Sequence, residues 1–186
     1  MKSMISSILI ATGGVLSLAP VGAHAADGTI NFSGAVLDTT CSINGTASGT
    51  SANLSVTLPS VSASALTTSG AVAGISNAAD VRLVLTGCTG AATKAIANFE
   101  NGQTIDQSTG LLANQGGTAK NVEVQLLNEQ MQPINVLTGT NNDIGTNGVA
   151  IAGGAATLQY YARYYALDAA QAGSVYTSIQ YTIQYQ

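Results

Sequence analysis

Hydrophobic and polar residues alternate with a period of two along most of the chain beyond residue 25. This spacing puts successive side chains on opposite faces of a β-strand. A tyrosine-rich run, 158–167, favours a strand over the helix that its alanines would otherwise allow. The other clear runs are 30–36, 54–58, 81–88, 122–126 and 179–185. The pattern predicts an all-β chain.

Residue pairs that tolerate a positive φ angle separate these runs. They are Asn44-Gly45, Asn101-Gly102, Asn147-Gly148 and Gly153-Gly154. Asparagine and glycine adopt the left-handed backbone of tight turns more readily than other residues do. About seven short strands with such turns are typical of a β-sandwich, and the length of 186 residues fits one domain.

The first 25 residues have the features of a secretory signal peptide. Lys2 provides the positive start, an apolar stretch follows over 4–18, and Ala23-His24-Ala25 has the small-x-small pattern of a cleavage site. We therefore expect cleavage after Ala25. A retained membrane anchor is less favoured, because the apolar stretch is short and is interrupted by serine, threonine and glycine.

The charge content is low and its sign is negative. Only 8% of the residues are charged, against about 25% in ordinary soluble domains, and the formal net charge is −4. Five basic residues against nine acidic ones cannot form a stripe that releases counterions from phosphates, so the charge pattern argues against a nucleic-acid partner. The hydrophobic fraction of 46% also argues against disorder.

Cys41 and Cys88 are the only two cysteines. Export to an oxidising compartment allows such a pair to form a disulfide, which we expect here. Closing a loop of about 48 residues destabilises the unfolded chain by roughly 4 kcal/mol in the chain-entropy model. Metal binding by two cysteines without a histidine partner is disfavoured.

The residues needed for catalysis are missing or dispersed. No histidine follows residue 25, so neither a Ser-His-Asp nor a Cys-His arrangement is possible in the exported chain. Glu123 and Glu129 are interpreted as solvated charges, the first on the polar face of a strand and the second in the turn after it. The sequence around 141–145 lacks the spaced carboxylates of a calcium loop and predicts a plain turn. We expect no enzyme activity, no cofactor and no metal.

The two ends of the exported chain carry the most distinctive patterns. Near the C-terminus, one face of the last run holds Ile179, Tyr181, Ile183 and Tyr185, and the chain stops one residue later at Gln186. At the other end, Ile30, Phe32, Gly34 and Val36 share a face of a run that precedes the first cysteine. Each run could be an ordinary strand of its own domain.

Taken together, the segments resemble the chaperone-usher fimbrial pilins of the type 1-like family over 26–186. The run 26–36 is similar to the N-terminal extension of that family, and Cys41 follows it as the first half of the family disulfide. The run 81–88 is similar to the strand that carries the second half. Later segments also match, at 124–128, 161–164 and 181–186, including a penultimate tyrosine.

The resemblance implies an incomplete immunoglobulin-like sandwich that lacks its last strand. The groove left beside the C-terminal strand would be filled first by a periplasmic chaperone. At an outer-membrane usher, the N-terminal extension of the next, identical or related subunit would then replace the chaperone. The protein would pass through the periplasm to a surface fimbria and support cell adhesion there.

The same resemblance assigns domains and residues. It implies a signal peptide over 1–25, a donor-strand extension over 26–40 and a pilin domain over 41–186. The inserted face of the donor strand would be Ile30, Phe32, Gly34 and Val36. The acceptor groove and the chaperone-recognition site would be formed by Ile179, Tyr181, Ile183, Tyr185 and Gln186.

A free secreted carbohydrate-binding β-sandwich is the alternative from another functional class. The chain has no tryptophan, and we expect the strands that carry its seven tyrosines, between Tyr160 and Tyr185, to feed the core. That placement argues against an aromatic platform for sugars. The short extension leaves the choice between a shaft and an adaptor subunit open, whereas a tip adhesin would need about twice this length.

Overall fold

The computed structural model describes residues 29–34, 36 and 38–186, so the signal peptide predicted over 1–25 lies outside the described residues. Short helices occur only at Ala63–Ala65, as a 3-10 turn, and at α1 (Ile144–Asn147) within this part of the chain. The strands are β1 (Thr40–Ile43), β2 (Val72–Ala73), β3 (Val81–Thr89), β4 (Lys94–Phe99), β5 (Leu112–Ala113), β6 (Lys120–Leu127), β7 (Val149–Ala150), β8 (Ala156–Gln171) and β9 (Tyr181–Tyr185).

The strands form two antiparallel sheets. The larger sheet has the order β1-β3-β8-β6-β5, with β2 paired to a further stretch of β8. The smaller sheet has the order β7-β4-β9. The prediction of an all-β sandwich with one disulfide is confirmed.

The hydrophobic core joins residues of both sheets. Leu85 and Leu158 of the larger sheet are fully buried, as are Ala95 and Ala97 of the smaller one. Between them the rings of Phe99 and Tyr160 meet edge to face, with centroids 5.0 Å apart. This is a favoured arrangement for an aromatic pair. The alternation that predicted the strands therefore buries one face of each sheet.

Tyr160 also completes the hydrogen bonding of the smaller sheet. Its hydroxyl oxygen accepts a hydrogen bond of 3.1 Å from the backbone N–H of Ala97, at a position that the two-residue strand β7 does not reach. Burial raises the pKa of Tyr160 to about 12, and the hydrogen bond from Ala97 opposes that rise. The hydroxyl therefore stays protonated in the core.

The structure confirms some local predictions and corrects others. The run 158–167 is a strand, within β8. The run 54–58 is not a strand, because it pairs with no other segment among the described residues. Positive φ angles occur at Asn44-Gly45 and Gly153-Gly154, as predicted. Positive φ angles do not occur at Asn101-Gly102 or at Asn147-Gly148. Asn147 is the last residue of α1, and Gly148 caps that helix.

The disulfide between Cys41 and Cys88 is present and connects β1 to β3. Cys41 is buried against the core, and Cys88 packs at its margin. β1 has only four residues, so the covalent bond fixes a strand whose own hydrogen bonds are few. The predicted pairing is confirmed.

The interpretation of Glu123 as a solvated charge is wrong. Its side chain is 3% exposed, although it lies on the face of β6 opposite to the core residues Val122 and Val124. The loop before β5 covers this face, and the Thr109 hydroxyl donates a 2.9 Å hydrogen bond to Glu123 Oε2. Burial raises the pKa of Glu123 to about 7, Thr109 opposes the rise, and the neighbouring carboxylate of Asp106 adds to it.

The interpretation of Glu129 as a solvated charge is confirmed, whereas the plain turn predicted at 141–145 is wrong, because a short helix begins at Ile144. Glu129 is exposed in the turn after β6. At 141–145 the carboxylate of Asp143 caps α1 by accepting a hydrogen bond from the N–H of Thr146. Across the described ranges, no group of three or more histidine, cysteine or acidic side chains is placed to hold a metal ion. Nor is any helix in those ranges long and apolar enough to cross a membrane.

Replacing Cys41 and Cys88 together by alanine should lower the free energy of unfolding by roughly 4 kcal/mol, because the unfolded chain regains the entropy of an open loop. Guanidinium unfolding of the exported chain and of the double variant measures the difference. Equal midpoints, or two free thiols in the mass spectrum of the native chain, would contradict this expectation.

Glu123→Gln should remove a pH dependence of stability. The folded pKa of Glu123 is about 7 against an ordinary value of 4.5, so the folded chain binds this proton more tightly than the unfolded chain does. The free energy of unfolding should therefore fall as the pH rises from about 4.5 to about 7, and it should remain low above that range. The glutamine variant should show no such fall and should be more stable than the native chain at alkaline pH.

The matched control is Glu129→Gln, which removes an exposed carboxylate from the turn after the same strand. Urea unfolding across the pH range should give this variant the native profile. A Glu123→Gln profile that follows the native one would show that the buried carboxyl group does not control the pH response.

Candidate functional site

The last strand, β9, is paired along only one of its edges. It runs beside β4, from Phe99 opposite Tyr181 to Ala95 opposite Tyr185. No described strand pairs with the other edge. A free strand edge presents backbone N–H and C=O groups that remain ready to bond to another strand.

The side chains of β9 alternate as predicted. Those of Tyr181, Ile183 and Tyr185 are half-buried and pack against the core, as does Ile179 just before the strand, while Thr182, Gln184 and Gln186 are exposed. Their β4 partners Ala95 and Ala97 are completely buried. Burial raises the pKa of both Tyr181 and Tyr185 above its usual value. The apolar face of β9 is therefore directed at the core without being fully covered.

Residues 52–58 border the same part of the core. The hydroxyl group of Tyr181 donates a 2.6 Å hydrogen bond to the carbonyl oxygen of Ala52. Leu54 and Leu58 are half-buried against the core, and Val56 is 37% exposed. We call β9 and residues 52–58 together the open edge. One edge of β9 is unpaired, and residues 52–58 pair with no described strand.

The end of the chain is attached to its own domain. The carbonyl oxygen of Gln186 accepts hydrogen bonds from the backbone N–H groups of Thr93, at 2.6 Å, and Lys94, at 2.9 Å. The N–H of Gln186 donates in return to the carbonyl oxygen of Lys94. Sequence reasoning did not single out Thr93 or Lys94, since neither belongs to a recognisable motif.

The N-terminal run has a different character. Residues 29–34 and 36 have no regular secondary structure. Ile30 is 79% exposed, Phe32 is 92% exposed and Val36 is fully exposed. Around Gly34, no atom of a described residue lies within 4 Å of the position that a Cβ would take, apart from its chain neighbours. Large apolar side chains in solvent commonly mark an interaction site.

The expectation that all tyrosine-bearing strands feed the core is wrong for three side chains. Tyr161 and Tyr165 are half-exposed on the face of β8 opposite to the buried Tyr160, because neighbouring residues of a strand point to opposite faces. Tyr176, after β8, is 70% exposed. The outer face of the larger sheet therefore carries aromatic surface that the sequence argument overlooked.

Comparisons with known proteins agree with this architecture. The family described as "Fimbrial protein" matches residues 30–186. The chain is 44% identical over 179 residues to the "Major fimbrial subunit SMF-1" of Stenotrophomonas maltophilia (strain K279a), covering 92% of this chain and 99% of that protein. It is 38% identical over 179 residues to the "F17 fimbrial protein" of Escherichia coli, covering 93% and 96% of the two chains.

A solved structure of a chaperone-usher pilus has the same fold. The match has a TM-score of 0.51 and 22% sequence identity, and it covers 87% of this chain and 96% of the other. The family match extends through β9 and begins at Ile30, so it includes both the open edge and the N-terminal run. The chain belongs to the fimbrial protein family and is a structural fimbrial subunit.

Proposed function

We propose that the protein is a non-enzymatic fimbrial subunit that polymerises by donor-strand exchange, with its N-terminal run inserted at the open edge of a neighbouring subunit. The main support is the unpaired edge of β9, whose apolar face is only half-buried. The same chain carries an alternating apolar run that is exposed at Ile30, Phe32 and Val36. Under this proposal, each copy would donate this run to a neighbour and would accept the run of another copy beside β9.

Strand addition would cover both the exposed apolar run and the unpaired edge of β9. The inserted backbone would bond to the free edge of β9, and its alternate side chains would cover the exposed part of the core. Burying Ile30, Phe32 and Val36 at about 1.5 to 3 kcal/mol each corresponds to roughly 5 to 9 kcal/mol per junction before ordering costs. A junction of that strength supports a durable fibre, because the inserted strand would dissociate slowly from its groove.

Gly34 supports the assignment of the donor face. Its φ angle is not in the left-handed region, and no described atom crowds the position of a Cβ. Neither the backbone nor the surroundings of the free segment thus requires glycine here. An approach to a shallow pocket on another subunit would require it, because only glycine lets two backbones come so close.

Before assembly, the open edge needs a temporary cover. An exposed edge with apolar side chains favours aggregation, so a periplasmic chaperone would supply a strand until an outer-membrane usher passes the subunit to the fibre. Tyr185 and Gln186 would lie at the end of the surface that the chaperone covers. The finished fibre would stand on the cell surface and support adhesion.

A free secreted module is less favoured as the main function. Such a protein would leave the edge of β9 unpaired and would keep Phe32 at 92% exposure permanently in solvent. Electrophoresis of material sheared from the cell surface distinguishes the two. Polymer predicts a ladder in unheated samples that collapses to one band on boiling, whereas a free module predicts one band in both samples.

Gly34→Arg should abolish polymerisation while leaving the subunit stable in its chaperone complex. The arginine side chain would collide with the acceptor surface and would bring a charge into an apolar groove. Ser33→Ala is the matched control, since this neighbouring position faces outward in the donor register and should assemble normally. The measurements are fimbrial yield from the surface and the amount of periplasmic chaperone complex. Normal assembly of Gly34→Arg would contradict the donor-strand assignment, as would unfolding of a subunit that lacks 26–36.

Tyr185→Ser should reduce capture by the chaperone and lower the periplasmic level of the subunit. A half-buried aromatic side chain at the end of β9 is the largest contact that this part of the edge offers a partner strand. Gln184→Ser is the control, because the side chain of Gln184 is exposed on the opposite face. Co-purification of the Tyr185 variant with the chaperone at the native level would rule out this recognition.

A further inference from the structure

The outer face of the larger sheet contains a cleft that no residue of the open edge lines. It lies where the loop before β5 and residues 133–135 cover β6 and β8 incompletely, and it has a volume of about 260 Å³. Leu111, Pro133 and Tyr165 form much of its apolar lining, and Thr109 and Gln125 contribute polar groups. Small-molecule sites commonly combine an apolar wall with a few fixed polar groups, in volumes of about 300 to 1,000 Å³.

Gln125 gives this cleft a fixed donor. Its side chain is 7% exposed, and its Oε1 accepts hydrogen bonds from Nε and Nη2 of Arg163, at 2.9 and 2.7 Å. The guanidinium group of arginine has only donors, so the atom facing it must be the oxygen of the carboxamide. The orientation of Gln125 is therefore determined by chemistry.

The nitrogen of the same carboxamide lacks an acceptor. Nε2 of Gln125 makes no hydrogen bond to any residue that the structure describes, although Gln125 lines the cleft. This nitrogen is not sealed from solvent, so water in the cleft can accept a hydrogen bond from it and a ligand oxygen could replace that water. An oxygen atom in the cleft would supply the missing acceptor.

Tyr165 gives the cleft an aromatic wall. Its ring is half-exposed on the outer face of β8 and lines the cleft together with Gln125. The ring presents an apolar surface with a polar tip, which suits a ligand that has an apolar face and polar edges. A sugar ring has this combination, with C–H groups on its faces and hydroxyl groups around its rim.

The charges around the cleft favour a neutral ligand. The positive group of Arg163 is held on Gln125, while Thr109 in the lining is bonded to the acidic side chain of Glu123, with Asp106 beside it. From residue 26 onward the chain has four basic and nine acidic residues. The Asp106 carboxylate near Thr109 and the net negative charge of the chain would oppose an anionic ligand, whereas hydroxyl groups accept and donate hydrogen bonds without a net charge.

We propose that this cleft binds a neutral saccharide, with a hydroxyl oxygen accepting from Nε2 of Gln125 and one face of the sugar ring lying against Tyr165. A single site of this size binds weakly. In a fibre built as proposed above, one cleft per subunit would repeat along the polymer, and many weak contacts would act together. This increase in avidity rests on the proposed function, whereas binding of a saccharide to a single cleft does not.

Saturation-transfer NMR on the full exported chain, isolated as fimbriae or as its chaperone complex, tests the site. The probes are galactose, mannose and N-acetylglucosamine at millimolar concentration, with sialyllactose as an anionic probe and the chaperone alone as a blank. We expect transfer to at least one neutral sugar. Transfer to none of them, or to sialyllactose alone, would overturn the proposal.

Two variants locate the binding. Gln125→Glu keeps the oxygen that Arg163 requires and removes the N–H donors, so it should weaken binding about fivefold or more without disturbing the sheet. Tyr165→Ala should abolish the signal, and Tyr176→Ala, which removes an exposed tyrosine that does not line the cleft, should leave it unchanged. Native binding by Gln125→Glu would overturn the proposal even if Tyr165→Ala failed to fold.

The two proposals fail separately. A chain that binds sugar and never polymerises would contradict donor-strand exchange and leave the cleft intact. A polymer that binds none of the neutral sugars would contradict the cleft and leave donor-strand exchange intact.

Discussion

β9 needs a strand on its free edge that its own described domain does not provide. The half-burial of Tyr181, Ile183 and Tyr185 follows from this, because the strand that would complete their cover is missing. Residues 52–58 are also unpaired, although Leu54 and Leu58 already pack on the core. The register of β9 is nevertheless set, since β4 pairs with all five of its residues and Gln186 is bonded to Thr93 and Lys94.

The two sides of the smaller sheet differ in how far their backbone groups are hydrogen-bonded within the subunit. Beyond the short strand β7, the backbone of Ala97 is satisfied by side chains, since its N–H donates to Tyr160 and its carbonyl oxygen accepts a 2.9 Å hydrogen bond from Asn142. No comparable hydrogen bonds from described side chains cover the free edge of β9. One border is thus closed within the subunit, and the other is available to a partner. In the proposed assembly, this difference would direct a partner strand to β9 and reduce pairing at the wrong edge.

Period-two alternation predicted all of β9 and most of β3, β6 and β8, because burial of one face is a local property of a strand. The same alternation at 54–58 did not produce a strand, since pairing also depends on a neighbour. Glu123 was misread for a related reason. The pattern identifies the face opposite to the core, but it does not tell whether a loop will cover that face.

The tyrosines illustrate a limit of composition arguments. Tyr160 and Tyr161 are adjacent in one strand, so only one of them can reach the core, yet an argument from the whole cluster treated them alike. The disulfide was predictable from cysteine number and export. The attachment of Gln186 to Thr93 and Lys94 was not, because it depends on backbone groups that carry no sequence signature.

The disulfide between β1 and β3 also determines how a fibre would carry mechanical load. Tension along a polymer would enter each subunit through its N-terminal extension and reach β1, a border strand of four residues whose hydrogen bonds could peel away one after another. The bond from Cys41 to Cys88 passes the pull directly to β3, which has nine residues and lies beside the sixteen-residue β8. Flow acting on the cell would thus be resisted by the centre of the larger sheet, with the short border strand β1 bypassed by a covalent link.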